Sequence, residues 1–448
     1  MRSVACLCLA WLPLAAQESR QATGVRVGEV TPESALVWMR VTAPLPPNLR
    51  VEELEGACPG APGRVRLRHS RREDLRDARA TPWVEVTAAR DYTHQFRLTG
   101  LKPATVYYFS AETAGPGGKP VHAPLRGRFQ TAPPATQYAE VTFTVVTGHM
   151  YRDMDHPEGF HIYEAMRKLA PHFIVPTGDN VYYDSEDPRA TTVELARYHW
   201  HRMYSYPRHV AFYLQTPAYW EKDDHDTLFD DCWPTMHPTQ MLPMTFGDGQ
   251  RIFLEQVPMG EKTWRTYRWG KGLQIWLTEG RDFRSSNKDP DGPGKTIWGA
   301  QQKKWLQESL LASDADFKVL VSPTPVVGPD RTNKADNHSN AAFTQEGNEF
   351  RRWVQQNLAK NFFIACGDRH WQYHSVHPET GVQEFSAGPA SDQHAAGSPG
   401  YNPRYHKFHL VKGGFLSVSF QRSGGQSQIL FRLHDVYGKV VYEYAPGR

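Results

Sequence analysis

The spacing of apolar positions changes character near residue 135. Before it, Val25-Arg26-Val27-Gly28-Glu29-Val30 and Ser34-Ala35-Leu36-Val37-Trp38-Met39 are alternating, β-rich runs divided by the turn signal Thr31-Pro32-Glu33. Leu101-Lys102-Pro103 then precedes Val106-Tyr107-Tyr108-Phe109, a pattern in which a strand tyrosine bonds back to the upstream backbone. Together these predict a β-sandwich. Thr131–Thr136 reads as a linker. After it, strand and helix periods alternate. Val141–Val146 and 172–176 predict buried strands, with helical spacing at Phe160, Tyr163, Met166 and Leu169 between them. Strand 273–278, helix 299–312, strand 317–321, helix 346–359 and strand 361–366 follow, and strand patterning returns at 382–386 and 415–443. This order predicts a layered α/β core rather than a barrel.

The 448 residues suffice for two or three domains. The expected division is an export signal at 1–19, a fibronectin type III-like sandwich at 20–133 and a catalytic domain at 138–448. Arg2, the apolar run Val4–Leu14 and small Ala15-Ala16 make the signal. About 13 apolar residues fall short of the ~20 that a membrane span needs. The expectation is therefore a secreted or periplasmic protein with no integral membrane segment. A net charge of +3 with scattered Lys and Arg gives nucleic acid no electrostatic handle. Of the five cysteines, Cys6 and Cys8 fall in the signal, so at most one disulfide is expected among Cys58, Cys232 and Cys366. Oligomeric state leaves no mark in the sequence.

Candidate chemistry sits where the core strands end, the usual ligand-binding edge of an α/β sheet. Thr147-Gly148-His149 ends the first. Thr177-Gly178-Asp179-Asn180-Val181-Tyr182 follows the second. Glu279-Gly280-Arg281-Asp282-Phe283-Arg284 follows strand 273–278, and Gly367-Asp368-Arg369-His370 follows strand 361–366. Between them Glu221-Lys222-Asp223-Asp224-His225-Asp226 crowds four acids around one histidine, an arrangement that self-repels unless solvated or bridged by a cation. Carboxylates and imidazoles delivered together suit a hard or borderline metal, and arginines suit phosphate oxygens. Any one of these runs has an ordinary structural explanation; their recurrence at successive strand ends points to a metal-dependent phosphoester hydrolase.

The ordered set Gly178-Asp179-Asn180-Val181-Tyr182, Asp223-Asp224-His225, Trp298-Gly299-Ala300-Gln301-Gln302 and Gly367-Asp368-Arg369-His370 resembles the alkaline phosphatase D (PhoD-like) family of calcineurin-like metallophosphoesterases, over roughly residues 24–440. The resemblance implies a four-layer α/β/β/α core and a site of iron accompanied by calcium. It implies Asp179 as the bridging carboxylate, Tyr182 as a phenolate ligand, and Asp224, Asp368 and His370 as further metal ligands. His225 lies near the scissile phosphate, and Arg281 and Arg284 grip its oxygens. Where the family usually offers cysteine, His149 stands as the candidate ligand, which makes zinc or manganese possible. The later strand lacks the superfamily's histidine, and Asp336-Asn337-His338-Ser339-Asn340 is the candidate substitute.

The implied function is a secreted alkaline phosphatase hydrolysing small phosphate monoesters through a metal-activated hydroxide, with His225 protonating the leaving group. The alternatives are a phosphodiesterase for cell-wall polymers or phospholipids using the same site, or a non-catalytic surface protein. Residues 386–407, rich in Gly, Pro, His and Tyr, are expected to shape the entrance.

Overall fold

The structure, a computed structural model, describes residues 19–44, 49–51, 54–358 and 361–447. The run read as an export signal, with Cys6 and Cys8, lies outside the described residues. In the N-terminal region Arg26–Gly28, Ala35–Arg40 and Thr93–Leu98 form one antiparallel sheet, and Leu125–Gln130, Val106–Ala114 and Gly63–Ser70 form the body of a second. Val37, Phe96, Val65, Phe109 and Phe129 are among the buried side chains that fill the space between them. The Lys102 backbone N–H donates to the Tyr107 hydroxyl at 2.9 Å, which is the predicted tyrosine corner.

The core that follows has two sheets face to face. One runs Phe173–Pro176, Val141–Val146, Phe415–Ser423, Gln426–His434, Val440–Tyr444. The other runs Arg265–Trp269, Leu273–Leu277, Phe317–Ser322, Phe362–Cys366, Gln383–Ala387, Gln372–Val376, His406–Leu410. Period two decides which side chain faces where. Phe143, Val145, Val319, Val321, Phe363 and Ala365 point to the shared interior, where Phe385 and Phe431 stack with centroids 4.3 Å apart. Their neighbours Val146 and Ile174, on the first sheet, face Ile162, Tyr163 and Met166 of the helix His161–Leu169. On the second sheet Trp276, Leu320 and Ile364 face the helices Gly299–Ala312 and Thr344–Asn357 through Leu306, Leu310, Phe350 and Val354. Helix, sheet, sheet, helix is the expected four-layer order.

The alternating pattern missed the strands Arg265–Trp269, Gln372–Val376 and His406–Leu410 and the helices Val193–Tyr204, Pro207–Tyr213 and Phe246–Gln256. Those strands carry Arg, Gln, Lys and His at many positions and show no run of apolar residues. The helix Val193–Tyr204 buries most of its circumference, including His199, His201 and Arg202, so polarity does not mark its exposed face.

One segment ties the two parts of the chain together. Ala218 bridges in parallel to both Gly28 and Ile174, so 217–221 lies between the N-terminal strand Arg26–Gly28 and the core strand Phe173–Pro176. Its links are Ala218 N–H to Val27 carbonyl (2.8 Å), Tyr219 N–H to Ile174 carbonyl (3.0 Å) and Glu221 N–H to Pro176 carbonyl (2.9 Å). Gly28 is needed for this approach, because a Cβ there would sit 2.4 Å from the Pro258 carbonyl oxygen. Among the described residues no helix is long and apolar enough to cross a membrane, and Cys58, Cys232 and Cys366 are buried and form no disulfide.

Candidate metal centre

The strands Phe173–Pro176 and Phe362–Cys366 end in the same way, with a glycine followed by an aspartate in the left-handed region: Asp179 has φ +49° and Asp368 φ +62°. A non-glycine residue there costs on the order of 1–3 kcal/mol, and such strain concentrates at functional sites. Asp tolerates it better than most residues. Gly178 has no alternative either, since a Cβ would meet the Asp223 Cβ at 2.5 Å. That contact brings in the third loop. Asp226 fastens it by accepting from the Asn180 backbone (3.1 Å) and side-chain amide (2.6 Å) and from the Asp223 backbone N–H (2.7 Å).

Four carboxylates and a histidine converge as a result. Ligand atoms of Asp179, Asp224 and His225 lie within 4.8 Å of one another, and so do those of Asp179, Asp223 and Asp368. The Tyr182 hydroxyl donates to Asp179 Oδ2 at 3.1 Å and lies 3.3 Å from His370 Nε2, itself 3.8 Å from Asp179 Oδ2. Burial, with the neighbouring charges of Asp224, Asp223 and Asp226, pushes Asp179 well above the carboxylate range against the pull of His225. Burial and Asp224 likewise raise Asp223, to about 7, against Arg281. Asp179 Oδ1 and Asp223 Oδ2 are buried without a hydrogen-bond partner. Buried carboxylate oxygens in that state are costly, and cations shared among them remove both the missing partner and the mutual repulsion. The donor set fits metal ions.

The cavity over this cluster measures about 270 Å³. Asp179, His225, Asp368 and His370 line it together with Arg331 and Lys334. It is an acidic floor with a basic wall, which is the charge pattern of a site that holds cations and then an anion on top of them.

The family profile described as PhoD-like phosphatase matches residues 143–408, and that described as PhoD-like phosphatase, N-terminal domain, matches residues 9–133. The chain belongs to the PhoD-like phosphatase family. As such it is a metal-dependent phosphoesterase. The fold agrees with a solved structure described as the structure of PhoD, at 16% identity and TM-score 0.74, covering 96% of this chain and 89% of that one. It also agrees with the purple acid phosphatase PPD1 from seeds of yellow lupin (Lupinus luteus), at 12% identity and TM-score 0.63, covering 94% of this chain and 73% of that one. No curated protein sequence matches the chain.

Several residues of this PhoD-like phosphatase lie elsewhere than the sequence led us to expect. His149 turns away from the carboxylates into an aromatic box: Nε2 pairs with the Tyr163 hydroxyl at 3.0 Å, and the ring packs against Phe160 and His209. The expectation that it coordinates is corrected, because its backbone leaves the strand without the left-handed kink of Asp179 and its imidazole suits that half-polar pocket. Arg281 and Arg284 are buried and do not face the cavity. Arg281 Nε donates to Asp223 Oδ1 at 2.6 Å, and Arg284 is committed to the Asp336 carbonyl and to Asn287 Oδ1. The cations that do line the cavity are Arg331 and Lys334, which sequence reasoning missed because a plain polar loop carries them. His338 pairs with Glu346 at 2.9 Å and packs at a tilt against Trp298, so the structure does not bring it to the carboxylate cluster. Asp223, adjacent to the expected ligand Asp224, joins the cluster as well. The last addition is His394, whose Nε2 lies 2.9 Å from the Tyr182 hydroxyl.

Proposed function

We propose that this PhoD-like phosphatase is a secreted or periplasmic phosphomonoesterase for small phosphate esters, holding iron with calcium or, given its histidines, zinc or manganese. The observation that carries the reading is the pairing of the carboxylate floor with the Arg331–Lys334 wall across a cavity of about 270 Å³. That volume suits one phosphate with a small organic group. Asp179, Asp223, Asp224, Asp368, Tyr182 and His370 would hold the ions. Bound there, the ions supply Lewis acidity and make a nucleophile of water at neutral pH.

The remaining steps fall to the side chains. Arg331 lines the cavity, its Nε has no hydrogen-bond partner, and Asp330, 3.7 Å away, is already taken by Arg369 at 2.7 Å. It is free to take a phosphate oxygen in fork geometry. Lys334, held by Asp231 at 2.6 Å, adds a fixed charge beside it. His225 donates Nδ1–H to Asp184 Oδ1 at 2.7 Å, which leaves Nε2 pointing at the cavity. Burial opposes its protonation, but Asp184, Asp224 and Asp179 outweigh it and raise His225 well above the usual imidazole value. With Nδ1 held by Asp184, its Nε2 is placed to protonate a departing alkoxide, a role worth about 10²–10⁴-fold.

The reading is tested by comparing turnover of p-nitrophenyl phosphate with that of bis-p-nitrophenyl phosphate, before and after chelation. Preference for the monoester, lost on chelation, is the expected result. Preference for the diester assigns the site to phosphodiesters, and turnover indifferent to chelation defeats the metal chemistry. Export is supported by the apolar run Val4–Leu14 followed by Ala15-Ala16, and N-terminal sequencing of protein recovered outside the cytoplasm checks it.

A further inference from the structure

We propose that His394, oriented by Asp153, is a metal ligand of this centre and supplies the donor expected from the sequence at His149. The inference rests on the metallophosphoesterase reading above. Its ground is a convergence that the motifs do not contain. Around the Tyr182 hydroxyl stand Asp179 Oδ2 at 3.1 Å, His370 Nε2 at 3.3 Å and His394 Nε2 at 2.9 Å. Two imidazole nitrogens and a carboxylate oxygen thus meet at the phenol oxygen, next to the buried and unpartnered Asp179 Oδ1. This N₂O₂ set selects a borderline transition ion such as zinc or iron and disfavours calcium, which prefers oxygen alone.

The other side of the imidazole is equally specific. His394 Nδ1 lies 2.8 Å from Asp153 Oδ2, so the carboxylate fixes the tautomer that leaves Nε2 as the free donor. A carboxylate behind a metal-bound histidine is the usual way such a ligand is aimed and made more basic. Asp153 comes from the turn that directly follows Thr147-Gly148-His149. The first motif thus reaches the metal indirectly, through Asp153.

The loop that carries His394 is pinned where it must be. Pro389 bridges to Thr147, Ala390 N–H donates to the Gly148 carbonyl at 3.2 Å, and Ala396 N–H donates to the His370 carbonyl at 3.2 Å. Gly148 leaves room for it, since a Cβ there would press on Pro389 at 3.1 Å and on the His394 ring at 3.4 Å. These contacts fasten one end of the loop to the end of the strand Val141–Val146 and the other to the His370 backbone, so the ring is held in place by the backbone and by Asp153 together.

The test strips the full-length protein with a chelator, re-equilibrates it with zinc(II) alone or iron(III) alone, and measures bound metal by elemental analysis across a concentration series. His394→Ala should hold the ion at least about 10-fold more weakly than wild type, and Asp153→Asn should weaken it by about 10–100-fold. His149→Leu should match wild type, and His394→Asp, which restores a donor, should recover part of the loss. Circular dichroism of each stripped variant separates lost affinity from lost fold. Retention in His394→Ala equal to wild type overturns the inference. A wild type that holds neither metal defeats the metallophosphoesterase reading itself, whereas a wild type that binds while His394→Ala binds equally well defeats only the role of His394.

Discussion

Thr147-Gly148-His149 and Thr177-Gly178-Asp179 are near-copies in sequence and neighbours in space. They leave adjacent parallel strands in step, since Val145 pairs with Val175 and Val146 with Pro176, and both glycines have positive φ, +63° and +95°. Yet only the second delivers its third residue to the metal cluster. Gly178 lies against Asp223, on a wall of carboxylates, while beyond Gly148 the chain enters a pocket of Phe160, Tyr163 and His209. An imidazole finds a hydroxyl and three aromatic faces there; a carboxylate would find no compensation for its charge. A motif at a strand end is therefore an offer of a ligand. The wall it meets decides whether the offer is used.

That contrast is open to direct attack. Replacing Asp179 by alanine should remove metal retention and lower kcat/KM by roughly 10³-fold or more, because the carboxylate common to two of the converging ligand groups is lost. Elemental analysis with initial rates checks both effects, and a variant with full metal and full activity would end the proposed role. Arg331→Ala tests the opposite wall. Losing a charged hydrogen bond to phosphate, worth about 1.5–3 kcal/mol, should raise KM about 10–100-fold while kcat falls less. The buried Arg281 should not behave that way. Its replacement by methionine strands Asp223 without a partner and should act first on stability and metal content.

The core was more legible than the site, for a physical reason. Strands buried on both faces, such as Phe173–Pro176 and Phe362–Cys366, must be apolar throughout, so their pattern survives in the sequence. The motif aspartates were legible through recurrence, because a Gly-Asp pair that alone could cap a helix or close a turn follows two core strands. His394, Arg331 and Lys334 were not. They sit on long loops with no period to read, and their relevance exists only through contacts between residues far apart, such as Tyr182 with His394 across 212 positions. His149 was misread because its sequence neighbours match those of a ligand while its spatial neighbours do not.

Two smaller effects sharpen the same lesson about histidines placed for packing. Burial depresses His374 to about 4, with its ring nitrogens held by Tyr442 and Gln383, and depresses His209, whose ring nitrogens have no partner, well below its ordinary value. The unfolded chain takes up these protons near pH 6.5 and the folded chain does not. Stability should therefore fall as pH drops from about 6.5 toward 4, by about 1.4 kcal/mol per unit for each such histidine. Thermal unfolding of wild type and of His374→Gln at about pH 7 and about pH 5 checks this: the variant should show the shallower fall, and equal slopes would remove His374 from the account. Smallest of all, His149→Leu should cost about 1 kcal/mol through the hydroxyl of Tyr163 it leaves behind, with metal content and turnover unchanged.

The segment around Ala218, hydrogen-bonded on one side to Arg26–Gly28 and on the other to Phe173–Pro176, leads within a few residues to Asp223, Asp224 and His225. A chain made from its amino end lays down the residues near Gly28 long before those near Ala218 exist. When the later segment emerges, both of its flanking strands have already been made, the N-terminal one long before. The acidic loop is thereby set in register by the oldest part of the polypeptide, and an amputated core would have to assemble its reaction chamber with one guide rail missing.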